Sequence, residues 1–147
     1  MLALVLKKLL DVFSSEVTIN LLENRIQILD NNSSLLYDDV PILAFKTHKN
    51  GDMEMVEIGK NAIMQTAFDV SISRPFSHPR IIVDDFEKAS IILRYAIEKG
   101  LGRKGFFSPK VLLKVSKKFD TELTQVEKQV LEELVLNIGA REVTIQY

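Results

Sequence analysis

The glycines of residues 100–105, Gly-Leu-Gly-Arg-Lys-Gly, have the spacing of a dinucleotide-binding loop. Such a loop binds a pyrophosphate only when a strand precedes it and a helix follows it, because the phosphate must meet the amide end of that helix. In this chain a helical pattern precedes the glycines and a strand pattern follows them. We therefore expect the end of a helix and a connector here. The alternative is a weak anion site at Arg103 and Lys104.

Two histidines and the serines are the next candidates, for metal binding and for nucleophilic catalysis. His48 and His78 are far apart, each in a turn-like segment, and the chain has no cysteine that would complete a set of ligands. The serines have no nearby base, and the glycine-flanked serine of a nucleophile elbow is missing. The sequence therefore predicts no metal site and no nucleophile.

Two pairs of carboxylates, Asp38-Asp39 and Asp84-Asp85, have the residue type that general acid–base catalysis uses. Asp84 is better explained as the residue that begins a helix, with Glu87 three residues later, and Asp39 precedes an extended Val-Pro pair. We therefore expect both pairs to be structural, and we predict no catalytic residue in this chain.

Composition limits the classes of function. The chain has 147 residues, of which 46% are hydrophobic, and this is enough for one domain with its own core. Its 19 basic and 20 acidic residues give a formal net charge of −1, so no general attraction to nucleic acid is expected. The lack of cysteine is compatible with a reducing compartment, and the cytoplasm is the expected location.

Residues 1–15 are predicted to form an amphipathic helix that precedes a single domain over residues 16–147. The side chains that would contact a membrane or a partner are Leu2, Val5, Leu6, Lys7, Lys8, Leu9, Leu10 and Phe13. The segment lacks the features of a signal peptide, and it is too short and too charged to span a bilayer. It can lie in the surface of an anionic membrane, or its apolar side can pack on the protein itself or on a second copy.

Hydrophobic periodicity predicts a mixed α/β fold for the rest of the chain. Strand patterns cover 16–21, 25–29, much of 35–58, 109–116 and 141–147, and helix patterns cover 60–67, 84–100 and 124–139. The Asn50-Gly51 pair indicates a tight hairpin. The last helix begins with a capping box formed by Thr124 and Glu127, and its predicted buried stripe is Val126, Val130, Leu134 and Ile138.

Several strings of the sequence, taken in order, resemble the MreB rod-shape-determining proteins of the bacterial actin family. They are FSSEVTINL, VEIGKNAIMQ, SRPF followed by IIVDDFEKASIILRYAI, PKVLLKV, TQVEKQVL and IGAREV. The resemblance implies an actin-like fold of the ribonuclease H type, a mixed sheet with packed helices. It covers only the first part of domain I, truncated after the fifth core strand. We therefore expect apolar surface of the sheet to be left bare and to need a partner.

The resemblance also places a phosphate loop at residues 20–25. The family has D-L-G-T-A-N-T here, in which the aspartate faces the nucleotide-bound metal and the glycine lets backbone N–H groups approach the phosphates. In this chain Asn20 replaces the aspartate and Leu22 replaces the glycine, while Glu23 adds negative charge and Arg25 compensates only in part. Ser116 stands where the family has a proline near the cleft. The resemblance thus implies a degenerate loop and no nucleotide cofactor.

Together these features indicate an MreB-like, non-catalytic interaction protein of the cell-shape cytoskeleton that does not bind or hydrolyse ATP. The expected partners are a second copy in a homodimer, a full-length MreB or another cell-shape protein, and the inner membrane as a peripheral contact. The alternative is one half of a nucleotide-binding switch or ATPase that a partner chain completes. A third interpretation is a chain that folds without a selected function.

Overall fold

The computed structural model describes residues 1–6, 16–102, 108–116 and 122–147. After a helical stretch at residues 2–6, the elements of this part are β1 (Glu16–Leu22), β2 (Arg25–Leu29), β3 (Leu35–Asp39), β4 (Leu43–Thr47), β5 (Met53–Ile58), β6 (Ser71–Ser73), α1 (Phe86–Leu101), β7 (Lys110–Val115), α2 (Gln125–Asn137) and β8 (Glu142–Gln146). A 3₁₀ helix over Lys60–Met64 follows β5 and replaces the longer helix predicted there.

The strands form two sheets. The first has the order β3-β2-β1-β7-β8, in which β1 pairs antiparallel with β2 and parallel with β7. β3 extends the antiparallel part and β8 extends the parallel part. The second sheet has the order β5-β4-β6 and is antiparallel, with the predicted hairpin at Gly51 (φ 91°) between β4 and β5. The predicted mixed α/β architecture is therefore confirmed.

Both long helices lie on one face of the first sheet, and the core lies between them and that face. Along β1, Val17, Ile19 and Leu21 are at most 4% exposed, and they alternate with residues that are partly or fully exposed. β7 repeats this alternation over Lys110–Val115. α1 packs on β2 and β3, and α2 packs on β8 and on α1. Each aliphatic side chain buried in this way contributes about 1.5–3 kcal/mol.

The opposite face of the first sheet, here called the open face, is mostly polar. Its residues are Glu16, Thr18, Asn20 and Leu22 of β1, Arg25, Gln27 and Leu29 of β2, Leu35 and Asp38 of β3, Lys110, Leu112 and Lys114 of β7, and Glu142, Thr144 and Gln146 of β8. Parallel strands that are covered on both faces usually read as continuous apolar runs, whereas these alternate. The expectation of a bare apolar sheet face is therefore wrong, because polar side chains at most of the alternate positions can be solvated by water.

Asp39 and Gly59 join the two sheets. The Oδ1 atom of Asp39, at the end of β3, accepts hydrogen bonds from Val40 N at 2.7 Å and from Lys60 N at 2.9 Å. Gly59 has φ 93°, and a Cβ at this position would lie 2.0 Å from Oδ2 of Asp39. Only glycine allows both the backbone conformation and the close approach. Asp39 is thus a structural residue, as the sequence predicts.

α1 begins after Asp85, so the predicted cap at Asp84 is wrong by one residue. The backbone of Asp85 is extended (φ −143°, ψ 99°), and its carboxylate accepts hydrogen bonds from Lys88 N at 3.1 Å and from Lys88 Nζ at 2.6 Å. Asp84 instead donates its backbone N–H to the carbonyl of Pro75. This tertiary hydrogen bond holds Asp84 in the preceding loop, and the next residue takes the capping position.

Lys88 connects the start of α1 to the second sheet. Its Nζ lies 4.9 Å from the centre of the Phe45 ring on β4, within the range of a cation–π contact.

Partial burial raises the pKa of the Asp85 carboxyl, but the two hydrogen bonds and the charge of Lys88 outweigh this effect and leave that pKa below its ordinary value.

α2 has the predicted capping box. Thr124 accepts from the amide of Glu127 at 3.2 Å, and the Glu127 carboxylate accepts from the amide of Thr124 at 2.9 Å. The predicted buried stripe is only partly right, because Leu134 is buried but Val126 is 70% exposed. At about 100° per residue, Val126 lies about 80° around the helix from Leu134. The side that meets the sheet and α1 is made by Leu131, Leu134 and Val135, and the predicted Val130 and Ile138 are partly buried beside them.

We expect Asp85→Ala to lower the free energy of unfolding by about 1 kcal/mol, the usual effect of losing an N-cap carboxylate, and Asp84→Ala to lower it much less. Because the pKa of Asp85 is lowered in the folded state, its contribution is present above the ordinary carboxyl pKa and is lost as the pH falls through the lowered value. Urea unfolding near neutral pH and in acid measures both effects. Equal losses in the two variants would contradict the assignment of the cap.

Candidate functional site

The hairpin between β1 and β2 is the predicted position of the degenerate phosphate loop. Leu22 at the end of β1 pairs with Arg25 at the start of β2, so Glu23 and Asn24 alone form the turn. Among the described residues other than glycine, only Ser33 has a positive φ. Glu23 and Asn24 therefore reverse the chain in conformations that any residue can adopt, and this hairpin folds without a glycine.

The polar side chains of the hairpin are held by neighbours on the open face. Asn20 Nδ2 donates to Gln27 Oε1 at 3.2 Å across the β1–β2 ladder. Arg25 donates from Nε to Oδ1 of Asp38 on β3, and the two side chains form an ion pair. The positive charge of Arg25 is thus offset by a carboxylate, and an anion approaching the hairpin would meet a pair with no net charge.

A small depression lies beside the hairpin, where the carboxyl ends of the parallel strands β1 and β7 meet. It is lined by Leu21, Leu22, Glu23, Phe76, Ile82, Val115 and Ser116, and its cavity volume is about 10 Å³. One water molecule needs at least about 10–15 Å³, and a phosphate group needs more. The amide of Ser116 donates to the carbonyl of Leu21 at 3.0 Å and ties the strand ends together. Among the described residues, the depression beside the hairpin is therefore shallow, with space for about one water molecule.

Phe76 and Ile82 are residues of this site that the sequence does not reveal. They lie in the loop between β6 and α1 and are only 3% and 5% exposed. The hydrogen bond from Asp84 N to the Pro75 carbonyl brings the two ends of this loop together. The SRPF string marks the segment as part of the family resemblance. It does not indicate that the phenylalanine reaches the hairpin, because that contact joins residues about fifty positions apart.

The first of the three glycines at residues 100–105 lies inside α1. Gly100 is helical, and a Cβ there would lie 3.3 Å from Cβ of Leu36 on β3, so this glycine allows close packing of helix on strand. Gly102 (φ 66°) caps the helix and donates its N–H to the carbonyl of Glu98, so the predicted end at Gly100 is slightly early. The expected helix C-terminus is confirmed. Arg103 and Lys104 lie outside the described residues.

Both histidines contact local groups. His48 Nε2 lies 2.9 Å from Glu54 Oε2 across the β4–β5 hairpin. His78 Nδ1 accepts hydrogen bonds at 3.1 Å from the amides of Arg80 and Ile81. Within the described ranges, no group of three or more His, Cys, Asp or Glu side chains is arranged to hold a metal ion.

The start of the chain is helical over residues 2–6, and the rest of the predicted amphipathic helix lies outside the described residues. Leu2, Val5 and Leu6 are 76%, 53% and 51% exposed. The other predicted contact residues, Lys7, Lys8, Leu9, Leu10 and Phe13, lie outside the described residues. None of the helices described is long and apolar enough to cross a membrane.

Comparison with known proteins places this site in a family. Residues 14–147 match the MreB/Mbl protein family. A crystal structure of MreB5 of Spiroplasma citri bound to ADP superposes with a TM-score of 0.70 at 18% sequence identity, over 90% of this chain and 38% of that one. A second structure of the same protein, bound to AMPPNP, gives a TM-score of 0.69 at the same identity and coverage.

MamK is a further structural neighbour. A structure of its double helical filament superposes with a TM-score of 0.64 at 9% identity, over 90% of this chain and 40% of MamK. The expected actin-like fold is therefore confirmed. This chain spans about 38% of the length of the MreB5 structures that it matches.

We expect Mg-ATP at millimolar concentration to leave the melting temperature of this chain unchanged, because Arg25 is paired with Asp38 and the exposed Glu23 leaves the hairpin without net positive charge. A ligand that binds only the folded state at a hundred times its Kd would add about 2.7 kcal/mol of stability. Differential scanning fluorimetry measures the shift, with MreB5 as the positive control. A rise in Tm that saturates with ATP would contradict this description of the hairpin.

Proposed function

This chain belongs to the MreB/Mbl family, and we propose that it acts as a non-catalytic interaction module of the cell-shape cytoskeleton. In this proposal the chain works in the cytoplasm, neither binds nor hydrolyses ATP, and acts through contacts with other proteins. The observation that carries the proposal is the β1–β2 hairpin, where Arg25 is paired with Asp38 and the depression beside it has a volume of about 10 Å³.

The chemistry of triphosphate binding supports this proposal. A triphosphate needs oriented amide donors, uncompensated positive charge, or a metal ion held by carboxylates. At the hairpin, Leu22 places a side chain where the family resemblance expects glycine, and Glu23 is exposed and negative. Arg25 is paired with Asp38, and the amide of Asn20 stands where a carboxylate would face the metal. All four features oppose the binding of Mg-ATP.

Association with further copies is the second part of the proposal. MamK, which shares the fold, is described as a double helical filament. A chain with this fold is therefore proposed to form homo-oligomers, with a dimer as the simplest case. A full-length MreB or another cell-shape protein is proposed as a further partner, since a related molecule can present a surface of similar shape.

A peripheral contact with the inner membrane is supported by the start of the chain. Residues 2–6 are helical, and their leucine and valine side chains are at least half exposed. Lys7 and Lys8 belong to the same predicted helix and would add about 1 kcal/mol each beside anionic lipid. A single short helix binds a membrane weakly, so association of several copies would strengthen the contact.

The second candidate function is half of a nucleotide switch or ATPase that a partner chain completes. It is favoured by the ADP and AMPPNP held by the MreB5 structures. In this case the second chain would have to supply the amide donors and positive charge that the hairpin lacks.

Mg-ATP turnover separates the two candidates. We expect a full-length MreB to release phosphate at the same rate with and without this chain, and we expect the chain alone to release none. A colorimetric phosphate assay and isothermal titration calorimetry measure turnover and binding. Saturable binding of micromolar ATP by the chain alone would refute the proposal. Phosphate release by the mixture that exceeds the release by the full-length MreB alone would support the second candidate.

Co-sedimentation with anionic liposomes tests the membrane contact. We expect the intact chain to pellet and a variant lacking residues 1–14 to stay in the supernatant. A Lys7→Glu/Lys8→Glu variant keeps the apolar side chains and should bind several-fold less, because repulsion from anionic headgroups replaces attraction. Neutral liposomes serve as the control for charge. Equal pelleting of the intact and shortened chains would remove the helix from the proposal.

A further inference from the structure

We propose that two copies of this chain pair through the edge strand β8, antiparallel and centred on Thr144, so that two five-stranded sheets become one continuous sheet. This inference rests on the homo-oligomeric part of the proposed function and gives that association a surface and a register. It follows from a comparison of the four sheet edges, from the order of side chains along β8, and from the helix packing beside that strand.

Three of the four sheet edges carry features that hinder pairing with another strand. β3 has an irregular register opposite Ile28 and Leu29, ends in Asp38 and Asp39, and is followed by Pro41 within two residues. β5 carries two glutamates and also has an irregular register against β4. β6 is only three residues long. Bulges, charges, proline and short length are the usual means by which proteins protect an open edge.

β8 carries none of these features apart from one terminal charge. It pairs with β7 in regular register over all five of its residues, and within the described residues its other side has no partner strand. Its sequence, Glu-Val-Thr-Ile-Gln, has three β-branched residues in the middle, no proline, and a single charge at its first position. β8 is therefore the best template for a further strand in the described structure.

The side chains of β8 match a second copy of the strand when the two run antiparallel about Thr144. In that register Val143 lies opposite Ile145 of the partner, and Glu142 lies opposite Gln146 of the partner. Thr144 faces its own copy, and Thr–Thr is a favourable cross-strand pair. Glutamine can donate a hydrogen bond to the glutamate, and the two glutamates lie at opposite ends of the pair. The strand is thus complementary to itself.

In the same register, the apolar side chains of both copies lie on one face of the continuous sheet and the polar side chains lie on the other. Val143 and Ile145 are half-buried on the side that α2 covers, and Glu142, Thr144 and Gln146 are exposed on the open face. A two-fold axis perpendicular to the sheet places the apolar side chains of both copies on the helix side. A parallel arrangement of the two edges would instead set Glu142 against Glu142 of the partner, which is unfavourable.

The interface formed by such a pair is small. Five residues a side bury less area than a permanent dimer needs, so we expect an equilibrium that depends on protein concentration. Weak pairing of this kind suits a module whose copies are brought together by another contact, because a second contact raises their effective concentration.

Cysteine cross-linking tests the register directly, because the chain has no cysteine of its own. Residues directly opposite in an antiparallel pair have Cα atoms about 4.5–5.5 Å apart, within the range of a disulfide. We expect oxidised T144C to form covalent dimers and the matched variant T47C, on an exposed end of β4, to form several-fold fewer. E142C alone should cross-link poorly, whereas a mixture of E142C with Q146C should form heterodimers.

Charge exchange at the same position tests the association without a covalent bond. T144K and T144E each place like charges at the two-fold axis, and each should weaken the dimer roughly five- to tenfold in sedimentation velocity. A mixture of T144K with T144E should restore the dimer, because the two charges at the axis are then opposite. T47K is the control, and circular dichroism verifies that all variants fold.

The outcomes distinguish this inference from the function on which it rests. Cross-linking through T144C and recovery in the mixture would support pairing through β8. A dimer that is unchanged in both T144K and T144E would overturn the β8 interface but leave self-association in place. A monomer at every concentration, without cross-linking, would overturn both the inference and the homo-oligomeric part of the proposed function. ATP binding, measured separately, would refute only the part of the proposed function that says the chain does not bind ATP.

Discussion

Alternation of apolar and polar residues along β1, β7 and β8 puts every second side chain into the core and leaves the others on the open face. The fold depends on this one-sided burial, because α1 and α2 can cover only one face of the first sheet. Ile19 and Leu113 are almost fully buried under the helices, while Thr144 and Lys114 face outward. A shift of one residue in the register of any central strand would exchange the two faces, so the register is strongly specified.

The same constraint explains why the residues that could do chemistry have structural contacts instead. Asn20 and Arg25 lie on the open face, where cross-strand neighbours are close enough to pair with them. Asp39 is at the end of a strand, where its carboxylate accepts from the backbone N–H of Lys60, at the start of the 3₁₀ helix that follows β5. At the carboxyl ends of β1 and β7, the place where ligands usually bind in α/β sheets, Phe76 and Ile82 line a small depression. The side chains at this position come from both strand ends and from the loop before α1.

The polar character of the open face bears on which surface two copies of this chain would use to associate. Contact between copies need not cover exposed apolar area on this sheet, because water solvates most of that face. The backbone at a sheet edge is a different kind of surface, since its N–H and C=O groups gain partners only from another strand. Edges protected by charge or irregular register, such as those of β3 and β5, contrast with the regular edge of β8. α1 and α2 cover the opposite face, so the difference between the open face and the sheet edges does not involve them.

Local patterns in the sequence were sufficient to predict much of this molecule. Alternation identified β1, β2, β7 and β8, the Asn-Gly pair located the β4–β5 hairpin, and the capping box at Thr124 located the start of α2. Each of these signals involves residues within a few positions of one another, so composition and spacing carry it. The substitutions at Asn20, Leu22 and Glu23 were likewise visible in the sequence, because a family resemblance supplied the pattern from which they depart.

Other features depend on contacts between distant parts of the chain. Asp85 rather than Asp84 caps α1 because Asp84 bonds to Pro75, and Val126 is exposed because the sheet meets a different side of α2. The pairing of Arg25 with Asp38 and the arrival of Phe76 at the hairpin also join residues from separate elements. The sequence alone determined most of the strands and both long helices, and which side of β1, β7 and β8 is apolar, since these follow from neighbouring residues. Only the tertiary structure decided which polar groups are already paired and where space remains, because both depend on how the elements pack.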